Sequence, residues 1–161
     1  METKNKRSIG IASLLLTLCA VLSSFSPRKG GDSFEIYLNN KLVMQQNLHG
    51  DKGVRNLTLQ QSNYNDQLSI KYSHCGRVGK GRTITIKDGQ NKVLKQWRFT
   101  DAAGADKTMT CKVKDILDLK KARLPDRQGS ATLQLFYSSN ELPNGYLLAS
   151  IITGNNYARV Q

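Results

Sequence analysis

Apolar and polar residues alternate with a period of two along most of this chain, and this alternation constrains the fold more than any other feature. It is clearest at 67–73 (QLSIKYS), where Leu68, Ile70 and Tyr72 share one parity and polar residues lie between them. Side chains of a β-strand point alternately to the two faces of a sheet, so the pattern predicts a strand with one buried face. Similar short runs recur at 34–38, 42–44, 54–60, 83–87, 92–99, 108–113, 131–137 and 146–152.

Turn-forming residues separate these runs. Asn39-Asn40 and Asp88-Gly89 predict tight hairpin turns, because these residue types tolerate left-handed backbone. Leu142-Pro143-Asn144-Gly145 predicts a further turn. The only helical signal lies near 115–122, where Asp115 is suited to an N-cap.

About nine short strands with no alternation of strands and helices predict an all-β protein. An antiparallel two-sheet β-sandwich is the favoured architecture, with an immunoglobulin-like topology as one form of it and one short helix near 115–122. The alternative is a partly open β-barrel. The length of 161 residues suits one domain, which we place at 34–161.

The N-terminus has the composition of an export signal. Lys4, Lys6 and Arg7 precede an apolar run from Ile9 to Leu22, which is too short for a comfortable membrane span and is followed by small residues. We therefore expect a signal peptide at 1–26, a linker at 27–33, and a protein exported to the periplasm, the cell surface or the medium. Cys19 lies inside the apolar run, but Leu18 precedes it at a position where a lipobox needs a small residue. A lipoprotein is therefore the less favoured alternative.

The chain is strongly basic, with 24 Lys and Arg against 12 Asp and Glu and a formal charge of +12. Such a charge attracts polyanions in a salt-dependent way. The tyrosines do not follow a pattern typical of base stacking, and a signal peptide argues against a nucleic-acid role. The expected partner is an envelope protein or an anionic polymer, and no transmembrane segment is expected after signal cleavage.

His74 and Cys75 are adjacent at the end of a predicted strand. Imidazole and thiolate are ligands for copper or zinc, and His49 is the other histidine available to complete such a site. Neighbouring strand residues point to opposite faces, however, and the sequence has no CxxC or HxxxH spacing. The expectation is therefore no metal site and no cofactor, with His74, Cys75 and His49 as the candidates for a metal-handling alternative.

The two cysteines outside the signal segment, Cys75 and Cys111, are candidates for one disulfide. An even pair of cysteines in an oxidising compartment favours a bridge, and the parity of Cys111 places it inward. A buried free thiol is the other interpretation of this pair.

The loop 76–82 (GRVGKGR) combines glycines with Arg77, Lys80 and Arg82. Backbone N–H groups and cations in this arrangement are typical of anion sites, so these three residues are candidates for anion binding. The loop lacks the P-loop pattern and does not lead into a helix. A basic hairpin loop without a dedicated ligand is the simpler interpretation.

Patterns typical of an enzyme are missing. The sequence has no GxSxG, and the neighbouring His74 and Cys75 lack the through-space geometry of a catalytic pair. No catalytic residue is therefore predicted, and the expected function is that of a non-catalytic binding or structural module.

Three segments carry a resemblance to known proteins: GGDSFEIYLNNKLVMQQ, YSHCGRVGKGRTITIKD with KVLKQWRF, and YSSNELPNGYLLASI. In their order and their sequence, these segments resemble small secreted proteins of Bacteroidota. The resemblance implies export and a single small β domain. It implies no activity, cofactor or catalytic residue.

Overall fold

The structure is a computed structural model that describes residues 31–49, 53–102, 108–123 and 132–154. The predicted signal peptide at 1–26, residues 27–30 of the predicted linker and Cys19 lie outside the described residues. The described strands and helix belong to one compact unit that begins at Gly31. No helix in the described ranges is long and apolar enough to cross a membrane.

In the described ranges, nine strands form two sheets, as the alternation predicts. The strands are β1 (Ser33–Leu38), β2 (Lys41–Asn47), β3 (Arg55–Gln60), β4 (Gln67–Ser73), β5 (Thr83–Lys87), β6 (Val93–Arg98), β7 (Thr108–Lys112), β8 (Leu133–Ser139) and β9 (Leu142–Gly154). Sheet A has the order β2-β1-β4-β7, and sheet B has the order β3-β9-β8-β5-β6. The all-β two-sheet sandwich is confirmed, and neither sheet closes into a barrel over the described residues.

The strand order is close to that of a variable-type immunoglobulin sandwich. Strand β4 pairs with β7 in one sheet, and β9, β8, β5 and β6 are successive neighbours in the other. These are the neighbour relations of strands B and E and of strands G, F, C and C′ in that fold. Strand β2 is an additional edge strand, joined to β1 by the Asn39-Asn40 turn, in which both residues have positive φ as predicted.

One strand pair departs from the expected antiparallel pattern. Strand β3 runs parallel to β9, with Leu57 opposite Ile151, while the other pairs are antiparallel. Period-two hydrophobicity fixes which face of a strand is buried and carries no information about its direction. The antiparallel expectation is therefore wrong for this pair.

The turn predicted at Leu142-Pro143-Asn144-Gly145 is also wrong. Ser139 lies opposite Leu142, so the connection between β8 and β9 is the shorter Asn140-Glu141. Pro143 to Gly145 form an irregularity inside β9, where the register shifts between Tyr137 and Ser139 and Gly145 has a φ of +69°. Proline and glycine are typical of bulges as well as of turns, so composition alone does not distinguish the irregularity inside β9 from a turn.

Helix α1 (Val113–Arg123) follows β7 directly and begins two residues before its predicted start. Its buried residues are Val113, Ile116 and Leu117. Asp115 lies in the first turn and forms an ion pair with Lys95 of β6 at 2.9 Å, so it is not the N-cap. The helix covers one end of the sandwich, where the Val113 amide donates to the Asp66 carbonyl just before β4.

The core lies between the inward faces of the two sheets and is almost entirely apolar. Each fully buried aliphatic side chain contributes roughly 1.5–3 kcal/mol to stability. Trp97 is half-buried and packs against this core, opposite Ile84. The largest fully buried side chains include Phe34, Ile36, Leu68, Ile70, Ile84, Ile86, Met109, Leu135, Tyr137 and Leu148.

Candidate functional site

A buried polar cluster closes the end of the sandwich opposite the helix. Here β4 ends, β8 ends and β5 begins, and the loop 74–82 carries the chain from sheet A to sheet B. The loop starts with a tight turn from His74 to Arg77, in which Cys75 and Gly76 have φ values of +43° and +84°. Two consecutive residues with positive φ are typical of a type I′ turn.

His74 is at the centre of this cluster, with only 2 % of its surface exposed. Its Nε2 lies 2.9 Å from the Tyr137 hydroxyl and 3.2 Å from Ser139 Oγ, both on β8. Its Nδ1 lies 3.4 Å from Asp32 Oδ2, although the geometry is not that of a hydrogen bond. One side chain at the end of β4 therefore contacts both sheets.

The two tyrosines of the cluster stack on each other across the sandwich. The rings of Tyr72 and Tyr137 are 4.2 Å apart and nearly parallel, and Tyr72 also packs on His74. The Tyr72 hydroxyl donates to Asp32 Oδ2 at 3.1 Å. Burial raises the pKa of Tyr72, with Asp32 adding to the effect, and burial likewise raises the pKa of Tyr137. Both phenols are therefore neutral hydrogen-bond donors at physiological pH.

The backbone of Gly79 lies directly over the cluster. A Cβ at this position would lie 3.1 Å from the Tyr137 hydroxyl, 3.2 Å from His74 Cδ2 and 3.2 Å from Arg82 Cδ. Gly79 is itself buried, and its carbonyl accepts a hydrogen bond from the Ala102 amide. Close approach of the loop backbone thus seals His74 from solvent.

Asp32, His74 and Ser139 are arranged in space like a Ser-His-Asp triad, with the carboxylate near His74 Nδ1 and the hydroxyl near His74 Nε2. Two features oppose that chemistry. The Tyr137 hydroxyl lies closer to Nε2 than Ser139 Oγ does, and Ser139 is only 5 % exposed, beneath the loop. A nucleophile must reach a substrate carbonyl, and this one faces the protein interior. The arrangement instead joins the sheets.

The three candidate metal ligands are not brought together. The imidazole of His74 points into the core, whereas Cys75 and His49 are exposed, and His49 lies against Gly31. No group of three His, Cys, Asp or Glu side chains among the described residues has the geometry to hold a metal ion. A metal site built on His74, Cys75 and His49 therefore lacks its ligand set.

The candidate disulfide between Cys75 and Cys111 is not formed. Both are free thiols and they are not within bonding distance. Cys111 is buried, as its parity predicts, and its Sγ lies 3.7 Å from the Leu68 carbonyl. Cys75 is in an exposed turn beyond the end of β4. Burial raises the pKa of the Cys111 thiol to about 12, which keeps it protonated.

The three candidate anion-binding residues are divided by the fold. Arg77 and Lys80 are exposed, but Arg82 is 4 % exposed and its Nε donates to the Thr100 carbonyl at 2.8 Å. Arg82 precedes Thr83 on β5 and has the parity of the inward residues. It does not belong to an exposed anion site, which corrects the prediction for this residue.

Carboxylates of the protein already occupy backbone donors of this loop. The Lys80 amide donates to Glu141 Oε2 at 3.0 Å, and the Gly81 amide donates to Asp101 Oδ1 at 2.8 Å. The Lys80 amide is the main cause that lowers the pKa of Glu141, with smaller contributions that include the Ser139 hydroxyl. The Lys80 and Gly81 amides of the glycine-rich loop therefore bind carboxylates of the protein itself, those of Glu141 and Asp101.

Asp32, Tyr72, Tyr137 and Ser139 were not identified as site residues from the sequence. A signal was present, because Tyr72 and Tyr137 each share the parity of the apolar residues in their runs and a buried phenol needs a hydrogen-bond partner. His74 has the same parity as Tyr72, two residues away. Ser139 and Asp32 gave no such signal, since both are short polar residues at strand ends.

No family model matches the sequence, and no curated protein matches it at a significant level.

We predict that His74→Ala lowers the free energy of unfolding by about 2–4 kcal/mol, because it removes a packed ring and leaves buried hydroxyls unpaired. Tyr137→Phe should cost about 1 kcal/mol, since it removes one hydroxyl. Urea denaturation of the two variants and of the double variant measures the coupling between the side chains. The matched control is the exposed His49→Ala, expected to change stability by less than about 0.5 kcal/mol. Equal losses for both histidine variants would contradict the central role of His74.

We also predict that iodoacetamide modifies Cys75 in the native protein and modifies Cys111 only after unfolding. Alkylation requires an accessible thiolate, and Cys111 is both buried and held protonated. Peptide mapping by mass spectrometry assigns the modified residue. A Cys75–Cys111 peptide found without reduction, or equal labelling of the two cysteines in the folded protein, would contradict the arrangement.

Proposed function

We propose that this chain is an exported, non-catalytic module of the cell envelope that acts by binding or as a structural element. The observation that carries the proposal is the closure of the His74 cluster. Among the described residues, the Ser, His and Asp side chains that are placed as in a hydrolytic triad are buried beneath Gly79, and the histidine contacts Tyr137. A fold of this class serves many functions, so the proposal rests on this site and not on the architecture.

The proposal of export rests on the N-terminal segment, where positive residues precede an apolar run and small residues. The described part of the fold is compatible with either redox environment, because its two cysteines, Cys75 and Cys111, are free thiols. The partner proposed for such a module is an envelope protein or an anionic polymer. The surplus of 24 basic over 12 acidic residues supports the second of these.

A fluorophosphonate probe tests the absence of a working serine nucleophile. We expect no labelling of the folded wild-type protein, because Ser139 is buried and its histidine is occupied by Tyr137. A known serine hydrolase in the same reaction serves as the positive control. Labelling that disappears in Ser139→Ala, or turnover of ester, peptide or glycoside substrates that this variant loses, would overturn the non-catalytic proposal.

A C-terminal fusion to alkaline phosphatase tests export, because this enzyme is active only outside the cytoplasm. We expect high phosphatase activity from the full chain and at least about a tenfold loss on deletion of residues 1–26, which removes the charged and apolar parts of the signal. Immunoblotting controls for the amount of fusion protein. Undiminished activity of the deleted form would contradict the assignment of the segment.

A further inference from the structure

The part of the outer face of sheet A formed by β1, β4 and β7 is hydrophilic. It is made by the residues of these strands whose parity is opposite to that of the core, and all of them are exposed or half-buried. The edge strand β2, next to β1, carries the exposed apolar side chains Leu42 and Val43. Most residues of the hydrophilic part carry a hydroxyl, and two are lysines. They are Ser33, Glu35, Tyr37, Gln67, Ser69, Lys71, Ser73, Thr108, Thr110 and Lys112.

Tyr37 presents the aromatic ring on this face and positions one of the lysines. Lys71 Nζ lies 5.0 Å from the centroid of the Tyr37 ring, within the range of a cation–π contact. The Tyr37 hydroxyl donates to Glu35 Oε2 at 2.6 Å. Glu35 and Lys71 are register partners on adjacent strands, yet the carboxylate is bound to the phenol and not to the ammonium group.

The carboxylates of the described residues contact groups of the protein other than Lys71 and Lys112. Asp115 and Asp118 pair with Lys95 and Lys114. Lys71 and Lys112 form no ion pair with a described carboxylate. The other carboxylates accept hydrogen bonds from backbone amides, asparagines or tyrosines, namely Asp32, Glu35, Asp66, Asp88, Asp101 and Glu141.

The two lysines are spaced along the sheet. Thr108 of β7 is the register partner of Lys71, and Lys112 lies four residues further along the same strand. A strand rises about 3.4 Å per residue, so the two positions are separated by about 14 Å. Ser69 and Thr110 lie between them, with their hydroxyl oxygens 3.0 Å apart.

We propose that the outer face of sheet A binds a linear acidic polysaccharide. Hydroxyl groups match the hydroxyls of sugar rings, and the half-buried Tyr37 ring offers a surface for their C–H groups. The two lysines, about 14 Å apart, bind carboxylate or sulfate groups of units that are not adjacent in the polymer. Stacking of nucleic-acid bases needs several aromatic platforms, and this face has only Tyr37 among its described residues. The inference rests on the proposed function, because export brings the chain into contact with such polymers.

Binding to labelled polygalacturonate, followed by fluorescence anisotropy at low and at physiological ionic strength, tests the inference. Lys71→Ala/Lys112→Ala should raise the dissociation constant about tenfold or more, because it removes two ionic contacts. Arg77→Ala/Lys80→Ala is the matched control, since it removes the same charge from the exposed loop 74–82, and it should change the constant less than about threefold. Thermal unfolding verifies that each variant is folded. Tyr37→Phe should retain binding and Tyr37→Ala should weaken it.

Neutral dextran and single-stranded DNA distinguish the class of ligand. We expect no binding to dextran and weaker binding to DNA than to polygalacturonate. Equal losses in the two double variants would mean a general electrostatic attraction and would overturn the inference, as would tighter binding to DNA or no binding to the polysaccharide.

The two proposals fail in different ways. Absence of polysaccharide binding, together with no fluorophosphonate labelling, would overturn the inference and leave the non-catalytic module intact. Cleavage of the polysaccharide by the wild-type protein would overturn the non-catalytic proposal. In that case a selective loss of binding in Lys71→Ala/Lys112→Ala would still support the sheet A face.

Discussion

The hydrogen bond between His74 Nε2 and the Tyr137 hydroxyl is the contact on which the closure of this sandwich depends. Tyr72 and Tyr137 fill the core with two large rings, and each brings a hydroxyl into a region that excludes water. A buried hydroxyl without a partner costs about 1–3 kcal/mol, so packing these rings requires polar partners at the same level of the core. His74 and Asp32 provide them, and Gly79 of the loop that links the sheets lies against Tyr137 and His74.

The two ends of the sandwich are closed by different physical means. At one end α1 inserts Val113, Ile116 and Leu117, which need no partners beyond close packing. At the other end a polar cluster fixes the loop through directional contacts. Along the side, Lys95 faces inward from the edge strand β6 and pairs with Asp115 of the helix. An inward charge on an edge strand discourages pairing with another chain, so this contact both joins the sheets and protects the edge.

The strands and the buried parity were predictable from the sequence, because period-two hydrophobicity reports directly which side chains leave water. Pairing direction and connection length were not, as the parallel β3–β9 pair and the short Asn140-Glu141 turn illustrate. The site was predicted only in part. His74 was singled out for its chemistry, but its partners come from β8 and from the residue before β1, which are distant in sequence. Arg82 was assigned to the surface with its loop neighbours, although its parity matches that of the inward residues of β5.

The basic character of the chain follows from its 24 Lys and Arg against 12 Asp and Glu, and the structure shows where the acidic residues lie. Loops and turns leave amide groups without strand partners, and Asp88, Asp101 and Glu141 accept hydrogen bonds from such amides. These carboxylates lie at loops and turns, and no described carboxylate forms an ion pair with Lys71 or Lys112 on sheet A. Asp101 and Glu141 accept hydrogen bonds from the Gly81 and Lys80 amides of the glycine-rich loop. The structure therefore favours the outer face of sheet A over this loop for the proposed binding of an acidic polymer.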